Sequence, residues 1–430
     1  MQRATREASL SRAALSGTLL LATASLLPAL GQAQPAYTLP PDKLAQAETL
    51  ARIRTVLHFG DALWGLAVLW LLLETGAAAR LAAWLQQRLR RSAVQGLAFF
   101  ALLLATFTLA DLPLSLYAHS VGLRYGISVQ GWGSWFVDFA KALGLTVGIG
   151  APVLLLFHWI VRKSPRRYWL WGWAAAVVLM IFGALIEPLG EPIFNQFEPL
   201  SKSNPALTAR LEQVVARTGT QIPPGRMFLM KASAKTNGLN AYVSGLGATK
   251  RVVVWDTTAG RIPDDEILFI FGHESGHYVL RHIPKGLALS AAAMLLVFWA
   301  CARVAEALVR RRGVRWGAPS LAERAGFVVI LLVASVASLV GEPADNAVSR
   351  HFEHEADVYG QEAVHGLVAS PQQTAVHAFN HLGAAWLETP TPSPFVVWWT
   401  YSHPSIPARA EFAQDYNPWA NGGHGRFFAR

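Results

Sequence analysis

Long apolar runs separated by short arginine-rich segments dominate much of this chain. Those at about 57–74, 95–117, 141–161 and 169–190 are each long enough, or nearly so, to cross a bilayer as a helix. Two more follow at about 286–305 and 325–341. An earlier run from Ala13 to Leu30 follows Arg3, Arg6 and Arg12 and precedes Gly31-Gln32-Ala33, so residues 1–33 read as a signal peptide or a first membrane helix.

Between about 191 and 285 the pattern changes. Asn204 to Arg217 spaces its apolar residues for an amphipathic helix, and Met227–Met230 and Val252–Trp255 predict short buried strands with Ala241-Tyr242-Val243 between them. Asp256 and Thr257 turn the chain toward a further helix. Pro263 opens that helix, Asp264, Asp265 and Glu266 occupy its first turn, and Pro284 closes it. The result is a small α+β unit. Residues 346–430 predict polar helices and a Gly/Pro-rich tail without firm order.

Composition strengthens the membrane reading. With 53% hydrophobic residues, 15% charged residues and 16 Trp, the chain is too apolar for a soluble protein of 430 residues. Trp159, Trp169, Trp171 and Trp173 fall near span ends, as in an aromatic belt. Asp61, Asp111 and Glu187 lie in or at the edges of spans, where acids mark either a polar interior or helix ends. One cysteine, Cys301, excludes intrachain disulfides and multi-cysteine metal clusters.

The net charge of +10 is carried in loops. Arg80, Arg88, Arg90 and Arg91 follow the 57–74 run; Arg162, Lys163, Arg166 and Arg167 follow 141–161; Arg310, Arg311, Arg312, Arg315 and Arg324 lie between the last two. These loops alternate so as to share the cytoplasmic side, which places the α+β unit and the C-terminal tail opposite. No nucleic-acid-binding motif accompanies the charge, and nucleic acid is not an expected partner.

The chemistry centres on Phe271-Gly272-His273-Glu274-Ser275-Gly276-His277-Tyr278, an HExxH motif. On one helix His273 and His277 share a face and can share a metal, with Glu274 placed to take a proton from a water that the metal polarises. A third histidine ten residues after the first is one known completion, but that position is Ile283, with Leu280 where a glycine would be needed. His282 projects off the ligand face of a continuous helix and reads as a helix-end histidine. A later helix offers Glu353, Glu355 and Asp357. Glu353 and Asp357 share a face, while Glu355 points elsewhere. Either this is a solvated charged helix, or Glu353 is the third ligand and Asp357 accepts the second ring N–H of a ligating histidine. Beside HExxH the second reading prevails.

Taken together, the HExxH motif, Ser349-Arg350-x-Phe352-Glu353-x-x-Ala356-Asp357 and Tyr401-Ser402-His403-Pro404-x-x-x-x-Arg409 resemble the CAAX prenyl protease type I family of integral-membrane zinc peptidases. Asn240-Ala241-Tyr242 and Arg251 to Thr257 share in that resemblance. It implies an α-helical multi-pass membrane protein, about seven spans around a chamber, with an α+β gluzincin-type zinc metalloprotease domain. It implies one Zn2+ per chain on His273, His277 and Glu353, with Asp357 orienting a ligating histidine. Glu274 and His403 would be catalytic, the latter steadying the oxyanion, and Arg409 would brace that region. Asn240 and Ala241 would lie on an edge strand that pairs with the substrate backbone.

The expected organisation is a signal peptide or first helix (1–33), an N-terminal transmembrane domain (34–190), the zinc metalloprotease domain with HExxH (191–285), a transmembrane hairpin (286–345) and a C-terminal part carrying the third ligand (346–430). The partners are a peptide or protein substrate, lipidated or membrane-bound, and membrane lipid. His354 stands where the family more often has an aromatic or aliphatic residue. The arginines place the catalytic face on the periplasmic side of a bacterial inner membrane, whereas eukaryotic relatives face the cytosol. Two other readings are a membrane quality-control metalloprotease of heat-shock type and a silent scaffold or transporter with a vestigial metal site. The span count argues against the first and the intact Glu274 against the second.

Overall fold

The arginine-rich loops come together at one end of a helical bundle. The computed structural model describes residues 35–245 and 249–428. Among them six helices are long and apolar enough to cross a membrane. These are α1 (Pro41–Glu74), α3 (Ser92–Arg124), α4 (Trp132–Lys163), α5 (Tyr168–Gly190), α8 (His282–Arg312) and α9 (Arg324–Val364), with a short α2 (Ala77–Arg88) after the first. They match the six later apolar runs; the first, within residues 1–33, lies outside the described residues. Pro41 opens α1, where its missing N–H has no helical partner to lose. Thr75 closes that helix with hydrogen bonds to Leu71, and Gly76 then turns the chain at φ +67°.

At this end Glu74 pairs with Arg315 and accepts from Trp316 Nε1 at 2.8 Å, while Arg324 donates to Ser92 O at 3.1 Å and Gln95 Oε1 at 3.0 Å. A buried cluster including Phe99, Phe100, Ala305, Trp316, Val328 and Val329 packs the helices just inside. Farther along, a cavity of about 650 Å³ opens between α1, α3 and α9, lined in part by His58, Asp61, Asp111 and Glu342. Asp61 and Asp111 thus line a cavity among the helices, whereas Glu187 is exposed near the end of α5.

The α+β unit follows the predicted plan. Asn204 caps α6 (Pro205–Thr218), its side chain accepting from Leu207 N at 3.0 Å. A four-stranded sheet has the order β1-β2-β4-β3, from β1 (Phe197–Pro199), β2 (Met227–Met230), β3 (Ala241–Ser244) and β4 (Arg251–Trp255). β2 and β4 run parallel; β3 pairs antiparallel with β4 and forms an edge. β1 has no counterpart among the predicted strands.

Three expectations need correction. The HExxH helix, α7 (Asp264–Val279), is not continuous to Pro284: Arg281 adopts a left-handed backbone (φ +59°) and α8 starts afresh at His282. Pro284 has no N–H to continue the ladder of α7, but it fits the first turn of α8. The division at 345/346 falls inside α9, a single 41-residue helix about 60 Å long at 1.5 Å per residue that joins the membrane hairpin to the Glu353 segment. Finally, the C-terminal tail is tied down. Glu362 accepts from the N–H groups of Arg426, Phe427 and Phe428 (2.5, 2.6 and 3.1 Å) and from the Tyr416 hydroxyl. After Leu387, the chain passes through α11 (Pro394–Thr400) and α12 (Ile406–Asp415), which follow α10 (Pro371–Trp386).

Candidate metal centre

α7 and α9 cross at backbone distance, and that crossing builds the site. Gly276 faces the Tyr359 side chain, and a Cβ on Gly360 would stand 2.9 Å from His273 N. With no side chain between them, His273 and His277 on one helix meet Glu353 and Asp357 on the other. The Nε2 atoms of the two histidines are 3.2 Å apart; Glu353 Oε2 is 3.2 Å from His273 Nε2, and its Oε1 is 3.5 Å from His277 Nε2. All three residues offer donor atoms within 4.8 Å of one another. Glu355, read as pointing elsewhere, is absent from this group.

The surroundings set the protonation of each group. Asp357 Oδ1 lies 2.9 Å from His273 Nδ1, and Arg409 holds that carboxylate with Nε–Oδ2 at 2.9 Å and Nη2–Oδ1 at 2.6 Å. Burial works against a charged His273, but Asp357 and Glu353 together outweigh it and lift its pKa to about 10. His277 goes the other way: burial, then repulsion from His273, drives it down to about 3 and leaves a neutral ring. Burial pushes the Glu274 carboxyl up to about 7, against the pull of His273. Glu274 also accepts from the Val243 N–H, which brings it beside the edge strand.

A divalent cation fits this arrangement. Two imidazoles and a carboxylate are a hydrolytic zinc donor set that leaves room for a water. Glu353 Oε2 is buried and makes no hydrogen bond of good geometry; its near neighbours are His273 Nε2 at 3.2 Å and Arg409 Nη2 at 3.8 Å, so a ligand atom is left turned into the group. His403, half exposed, places Nε2 3.3 Å from Glu353 Oε1 at the open side of the group and bonds Ser402 Oγ through Nδ1 at 2.9 Å.

The ladder settles which edge groups are available. Asn240 O accepts from Trp255 N at 3.1 Å, and Asn240 N donates to Thr258 Oγ1 at 2.8 Å, so the Asn240 backbone is engaged inside the fold. By the alternation of antiparallel pairs, Tyr242 also faces β4 while the backbone groups of Ala241 and Val243 face outward. Asn240 offers only its exposed side chain.

Two contributions escaped the sequence reading. Arg350 of α9 donates to Tyr401 O at 2.6 Å and Val397 O at 3.1 Å, gathering the last carbonyls of α11 just before His403. His282, outside the donor group, puts Nδ1 3.1 Å from His277 Nδ1 and Nε2 3.3 Å from Glu355 Oε2. The break at Arg281 swings His282 back toward the site, a turn that no pattern of polar and apolar residues announced.

Comparison with known proteins places the chain in a family. Residues 201–417 match the model of peptidase family M48, and residues 30–196 match that of the CAAX prenyl protease N-terminal domain with five membrane helices. An uncharacterized metalloprotease of Bacillus subtilis, YhfN, is 32% identical over 384 residues, 89% of this chain and 88% of the relative. CAAX prenyl protease 1 of Saccharomyces cerevisiae is 34% identical over 207 residues, 47% of this chain and 45% of the relative. In fold, the crystal structure of Ste24p from S. mikatae is similar with a TM-score of 0.74, 24% identity and 91% of each chain covered.

Proposed function

This chain belongs to peptidase family M48 and is a multi-pass membrane metalloprotease, and from that premise we propose that it is a zinc endopeptidase with His273, His277 and Glu353 as ligands. The observation that carries the reading is the meeting of those donors with the Glu353 oxygen turned in among them. When bound, zinc supplies Lewis-acid chemistry, polarising a carbonyl and acidifying a water. Glu274 would be the residue that accepts a proton from a water so acidified and returns it to the leaving amine. Asp357, clamped by Arg409, fixes the His273 ring with Nε2 toward His277 and Glu353, where it would be available as a ligand. His403 donates to the developing oxyanion. The outward groups of Ala241 hold the substrate as an added strand, with the Asn240 side chain alongside. That strand runs past Glu274, which the Val243 N–H already holds in place.

The substrate in this reading is a membrane-bound or lipidated peptide or protein. The yeast relative is named for CAAX prenyl proteins, and the cavity of about 650 Å³ lies among the membrane helices beneath the site. The catalytic face is periplasmic in a bacterial inner membrane. The three basic loops cluster at one end, and Arg54 and Tyr37 bind Trp386 and Glu388 toward the other.

The test is cleavage of a fluorogenic peptide, farnesylated or plain, by detergent-purified protein with its zinc content measured. Chelator-sensitive cleavage that Glu274→Gln abolishes supports the mechanism; cleavage that survives chelation and substitution overturns it. Reporter fusions at Arg90 and after Arg430 test the orientation, and a cytoplasmic C-terminus would reverse it.

A further inference from the structure

His273 is backed by a carboxylate, but His277 is not: beyond its Nε2 face, the polar atom at its Nδ1 belongs to His282, 3.1 Å away. We propose that His282 and Glu355 are positioning residues for His277, forming a relay that fixes which of its nitrogens faces the metal. The inference rests on the reading of His273, His277 and Glu353 as ligands.

The proton assignment closes in one way. A ligand Nε2 must carry a lone pair, so the His277 proton sits on Nδ1 and is donated. Its acceptor is His282 Nδ1, which requires the His282 proton on Nε2. Glu355 Oε2, 3.3 Å from that Nε2, receives it. The other Glu355 oxygen accepts from Arg426 Nη2 at 2.8 Å, so the carboxylate is itself held by the anchored tail. His282 is buried (3% exposed) and stacks on Phe352 at 4.5 Å with planes 10° apart, which removes its freedom to turn. A histidine serving only the core would explain the stacking and the Glu355 contact. It would not explain an Nδ1 directed at the Nδ1 of a candidate ligand. Each ligating histidine thus has a carboxylate behind it, Asp357 directly and Glu355 through one imidazole.

The test titrates the full chain in detergent with Zn2+ against a chromophoric chelator, and records visible spectra with Co2+ in its place. His282→Phe keeps the ring, its volume and its stacking but loses both nitrogens. Its Zn2+ dissociation constant should rise by about 10–100-fold, the usual cost of losing a partner to a ligating histidine, and its Co2+ bands should shift. The metal-free thermal midpoint should stay put. His282→Asn, whose amide oxygen can accept near the position of Nδ1, should recover most of the loss. Glu355→Gln, close in shape, should weaken Zn2+ by about 3–10-fold. Unchanged affinity and spectra in His282→Phe would overturn the relay; if that variant does not fold, unchanged affinity in Glu355→Gln decides likewise. Wild-type protein that fails to hold Zn2+ would instead remove the ligand reading on which the relay stands.

Discussion

Arg409 grips Asp357 with two parallel hydrogen bonds, Nε–Oδ2 at 2.9 Å and Nη2–Oδ1 at 2.6 Å, deep inside the protein. The Asp357 oxygen at the shorter bond also meets His273 Nδ1 at 2.9 Å, so one carboxylate serves both the Arg409 cation and the ring proposed as a metal ligand. Asp357→Asn therefore carries two penalties. Zinc affinity should drop by about 10–100-fold, since the ring loses its charged partner. Stability should fall by about 3 kcal/mol, since the buried Arg409 loses its bidentate partner and keeps only the more distant Glu353, 3.8 Å away. Chelator competition and thermal unfolding read the two effects separately.

Glu274→Gln keeps the size of the side chain and removes the proton acceptor. The rate of peptide cleavage should fall by at least about 10²–10⁴-fold, the range of a general acid–base group. Zinc content should match the wild type, because Glu274 is outside the donor group.

Metal binding should release a proton. With its pKa raised to about 10, His273 is protonated at pH 8, and a cation can reach Nε2 only by expelling that proton. Affinity therefore rises with pH until the ring deprotonates unaided near pH 10, and weakens as pH falls. Calorimetry at pH 8 in two buffers of different ionisation enthalpy should report about one proton released per ion. Buffer-independent heats would contradict the assignment.

Glu274 gives the metal-free protein a second pH signature. Its folded pKa is about 7, whereas the unfolded chain releases the same proton near the ordinary glutamate value of 4.5. Folding takes up a proton between those values, so this group costs stability as pH rises through that window. At pH 8 Glu274→Gln should unfold at a higher temperature than wild type, and below pH 4.5 the gap should close.

Crowding the helix crossing should also tell. A Cβ at Gly360 meets the His273 backbone at 2.9 Å, and backbone cannot swing aside as a long side chain can. Gly360→Ala should cost about 1–3 kcal/mol and loosen zinc by spreading α7 from α9, as seen in thermal unfolding and chelator competition.

At the open sheet edge, Ala241→Pro deletes an outward N–H that the β3–β4 ladder does not use. Peptide kcat/KM should fall by about tenfold, the worth of one lost hydrogen bond, with zinc content unchanged.

Much of this was legible along the chain because it is periodic. Each long apolar run among the described residues became a helix, since a bilayer leaves a spanning segment few other ways to satisfy its backbone. The strands at Met227 and Val252 and the helix after Asn204 were readable for the same local reasons. So were His273 and His277 as neighbours, because four residues of helix fix their relative directions. The pairing of Glu353 with Asp357 came from the same spacing once HExxH supplied the context.

What the sequence by itself determined was the inventory: the membrane helices, the basic loops between them, and the donors at fixed helical spacing. Only the tertiary structure decided which donors meet. The approach of α7 to α9 depends on glycines whose value lies in what they leave out. The place of His282 depends on one left-handed residue, Arg281, which reverses a direction that helical periodicity had assigned. The tail depends on Glu362, 64 residues before Arg426 in sequence and hydrogen-bonded to its N–H. Local spacing sets directions along a single helix, but contacts across helices follow from packing and from where the backbone breaks, and neither repeats with any period.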